Sequence, residues 1–287
     1  MKGDGGLKIS IYEVGPRDGL QTIQKLVPTH KKKQLIDALR GAGLRSIETV
    51  SFAHPLYVPQ MADAERVYDG QGAALVMNQR GMDRAKRSKV KEINIVFSPS
   101  NEFNLRNLGC EFHEAIGRYV KMLEGVPRSS VRVYLSCFFG CPYEGKVDMG
   151  RRVKAIQAAK LFSDKVVLAD TIGVACEHEI EVGAGICEKF DMTPALHLHH
   201  KANRENYALS LVRKAIECGI YEFDTSIGGL GGCPFVEGSP GNLATEALVR
   251  WLDFQGHDCG VSIEGLAEAS RLALEISEPS LPKTLSV

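Results

Sequence analysis

The chain has 287 residues, of which 44% are hydrophobic and 24% are charged, so it holds enough apolar material for one large core or two modest ones. Its 35 basic and 35 acidic residues cancel, which excludes a global field that would attract nucleic acid or an anionic membrane. Eight cysteines without a CxxC spacing fit reduced thiols, and the polar N-terminus and lack of a long apolar run predict a cytoplasmic protein without a membrane span.

Eight short runs rich in apolar residues recur along the chain and are predicted to be strands. They are residues 9–14, 46–52, 73–78, 92–97, 131–139, 165–169, 195–199 and 221–226. Stretches with a helical spacing of apolar residues lie between them, for example Leu35, Ile36 and Leu39 after a Thr29 N-cap. Strands that are nearly all apolar indicate burial on both faces, as in a parallel sheet that is covered by helices.

Strand and helix alternate through the whole chain, and eight such units in about 250 residues predict an α/β fold of the single-domain (β/α)8 TIM barrel type. We assign residues 1–287 to one domain because no linker, charge block or low-complexity tract divides the chain. Residues from about 240 are expected to form the last helix and a C-terminal helical extension that contains residues 263–276. An open, doubly wound sheet is the competing topology, because alternation alone fits both.

Polar residues stand at the carboxyl end of each predicted strand, which is where a barrel collects its functional side chains. The candidates for catalysis, substrate binding and metal binding at this rim include Arg17, Asp18, Gln21, Glu48, Ser51, Asn78, Ser136, Asp170, Thr171, His197, His199 and Asp224. Glu48, His197 and Asp224 lie within otherwise apolar runs, where burial of an unpaired charge is expensive. Each of these three is therefore expected to have a buried partner or a metal ion.

His197 and His199 are alternate residues of the predicted seventh strand, and alternate strand residues point to the same face. Two imidazoles at the barrel mouth could bind one cation, whereas the other interpretation is a pair of hydrogen-bonded, partly buried histidines. Asp18 follows strand one. In a closed barrel strand eight pairs with strand one, and strand seven, which carries the histidines, lies just beyond it. Asp18 is therefore expected to add an oxygen ligand. Nitrogen and oxygen ligands without a thiolate favour Mg²⁺ or Mn²⁺, with Zn²⁺ and Co²⁺ as alternatives.

Residues 228–232 contain four glycines and directly precede Cys233. Such a loop indicates a flap or a close approach of the backbone to a ligand, although glycine-rich loops are also ordinary turns. A flap could bring Cys233 over the barrel mouth, where a nearby cation would tune its pKa. Asn242 could cap the following helix, but we favour an amide-oxygen ligand to the metal. Arg106 is a candidate for binding the phosphates of a long substrate, the alternative being a solvent-facing side chain.

Several of these residues together resemble the 3-hydroxy-3-methylglutaryl-CoA lyase family, which is built on the (β/α)8 barrel. The resemblance is carried by residues 13–21, 47–52, 58–63, 136–145, 170–173, 229–234 and 241–246. The glycine-flanked Cys233 is the most discriminating feature, because related synthases that condense acetyl-CoA with 2-oxo acids typically carry Glu-Arg in that region.

The resemblance implies a divalent-metal-dependent lyase that cleaves 3-hydroxy-3-methylglutaryl-CoA to acetyl-CoA and acetoacetate. It implies that Arg17 lies beside the thioester or enolate oxygen and that Cys233 transfers a proton, as acid or as base. Glu48 would orient Arg17, and Asp170 would do likewise or hold the substrate. The metal ligands that it implies are Asp18, His197, His199 and Asn242.

Two other functions stay open. The same barrel and metal could act on another 3-hydroxyacyl-CoA or condense acetyl-CoA with a 2-oxo acid, and the usual family residues after the second histidine are replaced here by His200 and Asn203. A non-catalytic binding or assembly protein on the same barrel is the alternative from another class. We expect an acyl-CoA as the small-molecule partner, no nucleic acid and no membrane, and a homodimer or larger homo-oligomer.

Overall fold

The computed structural model describes residues 6–200, 207–232 and 241–277, and these form a closed barrel of eight parallel strands in the order of the chain. The strands are β1 (Ser10–Glu13), β2 (Ser46–Ser51), β3 (Ala73–Leu75), β4 (Glu92–Phe97), β5 (Val131–Leu135), β6 (Lys165–Ala169), β7 (Thr193–His197) and β8 (Glu222–Thr225). β8 pairs with β1 in parallel register, with Ser10 opposite Glu222 and Glu13 opposite Thr225. This closure confirms the predicted TIM barrel over the open, doubly wound sheet.

Helices surround the barrel and follow the strands along the chain. They are α1 (Thr29–Gly41), α2 (Ala64–Val67), α3 (Gln79–Arg87), α4 (Asn101–Leu108), α5 (Phe112–Met122), α6 (Met149–Ala159), α7 (Glu177–Lys189), α8 (Tyr207–Glu217), α9 (Thr245–Gln255) and α10 (Leu266–Ser277). Among the described residues, no helix is both long and apolar enough to cross a membrane. The predicted C-terminal extension is α10, which packs against α1.

The main core lies between the barrel and the helices. Leu35, Ile36 and Leu39 of α1 are buried in it, as their helical spacing predicts. The helix begins at Thr29, but its N-cap residue is Pro28, so the predicted Thr29 N-cap is wrong. The Thr29 hydroxyl instead donates to the Asp63 carboxylate at 2.6 Å, a contact between segments that local sequence does not reveal.

The interior of the barrel is partly polar. Side chains from five strands contact one another there, and these are Tyr12 of β1, Glu48 of β2, Asn94 of β4, Arg132 of β5 and Asp224 of β8. All five are less than a tenth exposed. Beside them Leu75, Val96, Tyr134, Val167 and Ala195 form a small apolar cluster. The barrel is therefore filled by side chains, and its charged groups lie below the carboxyl ends of the strands.

Phe97 offers a test of the outer core, since it is buried and its ring lies 5.9 Å from Phe112 and 6.4 Å from Phe162, centroid to centroid. Phe97→Ala should lower the free energy of unfolding by about 3–5 kcal/mol, because it removes burial and leaves a cavity. Phe254→Ala is the matched control, because that ring is 86% exposed and its loss should change the free energy by less than about 0.5 kcal/mol. Urea unfolding followed by circular dichroism measures both, and equal effects would contradict this account of the core.

Candidate active site

A tight turn after β1 carries Arg17 and Asp18. Residues Gly15–Gly19 form one π-helical turn, in which the amides of Asp18 and Gly19 donate to the Val14 carbonyl at 2.7 and 3.2 Å. Glycine is required at position 19, because a Cβ atom there would lie 2.8 Å from the Ser226 hydroxyl oxygen. The turn is thus pressed against the segment that follows β8, and both charged residues are held at the carboxyl end of the barrel.

Glu13, the last residue of β1, connects this turn to the segments that follow β8, where the barrel closes. Its buried carboxylate accepts hydrogen bonds from Gly15 N–H at 2.8 Å, Ile227 N–H at 2.9 Å and the Thr245 hydroxyl at 2.5 Å. Burial raises the pKa of Glu13 to about 7, and these three hydrogen bonds oppose that rise. Sequence reasoning did not single out Glu13, although a charged residue in a strand that is otherwise apolar was a signal.

Arg17 is held from below by Glu48. The Arg17 Nε–H donates to the Glu48 carboxylate, and an Arg17 terminal nitrogen donates to Asp18 Oδ1 at 2.8 Å. Glu48 also accepts from the Asn94 amide at 2.7 Å. Burial raises the pKa of Glu48, while the adjacent Arg17 guanidinium opposes the rise. Glu48 therefore orients Arg17, and Asn94, a residue that the sequence did not indicate, orients Glu48.

Asp18 receives hydrogen bonds on both carboxylate oxygens. Gln21 Nε2 donates to Oδ1 at 2.9 Å, as does Arg17, and Asn242 Nδ2 donates to Oδ2 at 2.9 Å. Burial by itself would raise the pKa of Asp18, but Arg17 and His197 lower it below the usual value. Asp18 is consequently an ionised carboxylate at neutral pH, the state that a metal ligand requires.

His197 and His199 lie side by side, with ring centroids 5.1 Å apart. β7 ends at His197, so the predicted strand extends two residues too far, and His199 belongs to a short antiparallel bridge with Asn242. His197 Nδ1 lies 3.1 Å from Asp224 Oδ2, and His199 Nδ1 lies 2.9 Å from the Asp170 carbonyl oxygen. Anchoring of Nδ1 is typical of metal-binding histidines, because it directs Nε2 to the metal.

Asn242 is the fourth candidate metal ligand. Its Nδ2 donates to the Leu230 carbonyl at 2.9 Å as well as to Asp18, which identifies the other amide atom as the oxygen. That oxygen, Oδ1, is buried and has no hydrogen-bond partner in the described part of the chain. Asn242 does not cap α9, whose N-cap residue is Ala244. A buried amide oxygen normally has a partner, so Oδ1 is available to bind a metal ion.

The four side chains fit a divalent cation by their donor chemistry. They offer two imidazole nitrogens, a carboxylate and an amide oxygen, and no thiolate, which favours Mg²⁺ or Mn²⁺ over softer ions. Within residues 6–200, 207–232 and 241–277, no three His, Cys, Asp or Glu side chains already have the geometry of a metal centre. Asp18, His197 and His199 thus lie near one another without forming a preformed three-ligand centre. What fits the cation is the chemistry of the donors, which include the buried amide oxygen of Asn242.

One cavity of about 1140 Å³ opens over these residues. All six predicted substrate-binding residues line it, and they are Gln21, Ser51, Asn78, Arg106, Ser136 and Thr171. Two of them also have structural contacts. The Asn78 side-chain oxygen caps α3 by accepting from Gly81 N–H at 2.9 Å, and the Thr171 hydroxyl oxygen accepts from Cys137 N–H at 2.7 Å. Arg17, Asp18, His197 and His199 line the same cavity.

Two predicted catalytic residues, Asp170 and Cys233, are not among the side chains described above. Asp170 is not among the residues that line the cavity, and its carboxylate accepts from Val174 N–H at 2.8 Å and Ala175 N–H at 3.0 Å. Its contact with the site is through its carbonyl oxygen, which holds His199. Cys233 lies outside the described residues, as does Asn203.

The chain that leads into position 233 passes directly over the site. Gly232 lines the cavity, and a Cβ atom at Gly231, whose φ is +112°, would lie 2.4 Å from Asn242 Nδ2. Only glycine fits there, because the conformation and the space both exclude a side chain. The glycines of this segment therefore allow its backbone to lie close to Asn242.

His199 gives a test of this geometry in metal-free protein. Burial, followed by the neighbouring His197, lowers its pKa to about 4, so the unfolded chain binds the proton more tightly. The stability that His199 contributes should then be complete above the unfolded pKa and be lost as the pH falls, by about 2 kcal/mol between about pH 7 and pH 5. It is read as the difference in the free energy of unfolding between the wild-type protein and His199→Gln. Urea unfolding in EDTA measures this loss, which His199→Gln should reduce. His178→Gln, at an exposed position on α7, should retain it, and an unchanged pH dependence in His199→Gln would refute the assignment.

Comparison with known proteins gives a consistent result. The model of the HMGL-like family matches residues 8–273. The mitochondrial hydroxymethylglutaryl-CoA lyase of Mus musculus is 37% identical over 285 residues, covering 91% of this chain and 83% of that protein. A Pseudomonas aeruginosa protein named 3-hydroxy-3-isohexenylglutaryl-CoA/hydroxy-methylglutaryl-CoA lyase is 36% identical over 279 residues, covering 92% of this chain and 91% of its own length.

The fold comparison agrees. A solved structure of an HMG-CoA lyase from Acinetobacter baumannii, in complex with coenzyme A and 3-methylmalate, superposes with a TM-score of 0.87 at 30% identity. The match covers 94% of this chain and 91% of that one. Since the family match and the relatives each extend over nearly the whole barrel, the chain belongs to the HMGL-like family.

Proposed function

We propose that this protein is a divalent-metal-dependent carbon–carbon lyase that cleaves 3-hydroxy-3-methylglutaryl-CoA to acetyl-CoA and acetoacetate. The observation that carries the proposal is the convergence of Asp18, His197, His199 and Asn242 beside a buried arginine at one barrel mouth. The Asn242 Oδ1 atom has no hydrogen-bond partner among the described residues. The names of the mouse and Pseudomonas relatives support the substrate.

The metal would be held by those four side chains. When it is bound, a divalent cation lowers the pKa of a substrate hydroxyl and attracts the negative charge that develops on a carbonyl oxygen. The protein's part is to keep the ligands fixed and in the right protonation state. The low pKa of Asp18 and the neutral His199 do this at neutral pH.

Arg17 would stabilise the thioester oxygen as it gains charge. Its Nε and one terminal nitrogen are used by Glu48 and Asp18, so the other N–H groups of the guanidinium are the donors for substrate. Because the buried Glu48 holds it in place before the reaction, Arg17 loses little freedom as the enolate forms. Preorganised charge of this kind favours the transition state over the bound substrate.

Cleavage needs two proton transfers. The proton leaves the C3 hydroxyl, the C3–O bond becomes the ketone of acetoacetate, and the electron pair of the C2–C3 bond passes to the thioester as an enolate. Protonation of C2 then gives acetyl-CoA. Cys233 is our proposed proton-transfer residue, because the backbone at Gly231 and Gly232 brings the preceding segment to Asn242 and the cavity. The thiol would act either as the acid that protonates C2 or as the base that takes the hydroxyl proton.

The cavity suits an acyl-CoA. Its lining includes apolar Leu75 and Val96, which belong to the small cluster inside the barrel, and four arginines besides Arg17. These are Arg80, Arg84, Arg106 and Arg118. An apolar interior and a basic rim complement an acyl group and the anionic phosphates of coenzyme A, respectively. The Acinetobacter structure with coenzyme A supports this assignment.

A related 3-hydroxyacyl-CoA is the second candidate substrate, because the Pseudomonas relative's name includes a longer C3 substituent. The cytoplasmic location and the homo-oligomeric state stay predictions of the same proposal.

Activity on a panel of acyl-CoA thioesters tests the function. With Mn²⁺ or Mg²⁺ the purified protein should release acetyl-CoA and acetoacetate from 3-hydroxy-3-methylglutaryl-CoA, and EDTA should abolish release. Cys233→Ala should lower kcat by about 10²–10⁴-fold, the range for loss of a general acid or base. Cys218→Ala, a partly buried thiol next to α8, is the matched control and should keep full activity. Metal binding without cleavage of this thioester would favour the second candidate.

Arg106 tests the binding of the coenzyme A end. Arg106→Ala should raise KM for the coenzyme A thioester by roughly 2- to 5-fold, the range for an exposed ion pair, and should leave kcat unchanged. The corresponding pantetheine thioester, which lacks the nucleotide phosphates, should show no such change. Arg128→Ala is the control, because Arg128 also pairs with one carboxylate at 2.7 Å but precedes β5 at the opposite end of the barrel. An equal KM effect with both thioesters would contradict phosphate binding.

A further inference from the structure

Arg132 is a buried arginine inside the barrel that the proposed chemistry does not use. Its side chain is 8% exposed and extends from β5 to β8, where it donates to Glu222 and, at 2.6 Å, to Asp224 Oδ1. The guanidinium also lies 4.1 Å from the centroid of the Tyr12 ring. A buried guanidinium is expensive unless it is paired, so these contacts fix Arg132 in one place.

Asp224 connects Arg132 to the candidate metal site. Its side chain is completely buried, with Oδ1 facing Arg132 and Oδ2 lying 3.1 Å from His197 Nδ1. One carboxylate thus bridges a guanidinium and an imidazole. Because each oxygen has a different partner, the carboxylate cannot turn without losing one of these contacts.

A second path leads from Arg132 towards Arg17. The Tyr12 ring that contacts the guanidinium carries a hydroxyl that accepts from Asn94 Nδ2 at 3.0 Å, and the same Asn94 nitrogen donates to Glu48 at 2.7 Å. Glu48 then holds Arg17. Arg132 is therefore in contact with the supports of both halves of the site.

We infer that Arg132 is a positioning residue for the metal ligand His197, acting through Asp224. The inference rests on the proposed metal-dependent function. Without Arg132, Asp224 loses the partner of Oδ1 and is free to rotate, and the His197 ring loses its fixed orientation. Residues that orient a metal-binding histidine contribute to metal affinity although they do not contact the metal.

Mn²⁺ binding measured by isothermal titration calorimetry tests this. Arg132→Met should raise the Mn²⁺ Kd on the order of 10-fold. This is the lower end of the range for losing a residue that directly contacts a metal-binding histidine, because Arg132 contacts His197 only through Asp224. The matched control is Arg152→Met. Arg152 resembles Arg132 because it is buried, pairs with a carboxylate, that of Glu179, and lies over an aromatic ring. It differs because it belongs to α6, outside the barrel.

Both variants should lower the urea midpoint, and only Arg132→Met should change the Mn²⁺ Kd. An unchanged Kd in Arg132→Met, or an equal rise in Arg152→Met, would overturn the inference. Where Arg132→Met does not fold, Arg132→Lys replaces it. Its ammonium lacks the planar fork that reaches both carboxylates, so a raised Kd supports the inference and a wild-type Kd refutes it. Absence of Mn²⁺ binding in the wild-type protein would instead refute the proposed metal dependence.

Discussion

The buried ion pair between Arg17 and Glu48 is the contact on which the rest of the site depends. Arg17 lies on a turn, but its partner is on the neighbouring strand, and Asn94 fixes that partner from a third strand. The guanidinium is thus anchored to the barrel wall, and its position follows from the packing of β2 and β4 side chains inside the barrel. Asp18, the next residue, is positioned by the same pair, because Arg17 also contacts its carboxylate. Two adjacent residues can therefore serve substrate and metal separately.

The charges buried around the site do not balance. The guanidiniums of Arg17 and Arg132 face three buried carboxylates, those of Asp18, Glu48 and Asp224. Arg132 also pairs with the partly buried Glu222. A buried excess of negative charge is costly, and the protein compensates on His197. Burial by itself would lower the pKa of His197, but Asp224 and Asp18 outweigh burial and raise the pKa above its usual value in the metal-free protein. A cation on the same residues would take over this compensation, and its uptake would release protons.

The sequence predicted the parts of the structure that depend on local order. Alternation of strand and helix gave the barrel, strand ends gave the cavity lining, and the spacing of His197 and His199 gave their proximity. The supports of the site could not be found in this way, because they join residues far apart in the chain. Asn94 and Glu48 are 46 positions apart, and Arg132 and Asp224 are 92 apart. Asp170 shows the converse limit, since an aspartate directly after a strand resembles Asp18 in sequence but binds the backbone of its own turn.

The high glycine content of the segment after β8 is explained by the close packing of backbone around Asn242. A Cβ atom at Gly231 would meet the Asn242 amide, and one at Gly241 would lie 2.3 Å from the Gly229 carbonyl oxygen. The backbone of residues 229–231 and that of residues 241–242 therefore pack against each other with no room for side chains between them. The Leu230 carbonyl also sets which way the amide of Asn242 points. The position of Leu230 therefore determines the orientation of Asn242, the proposed metal ligand, and the glycines on either side of Leu230 let its backbone come close enough to do so.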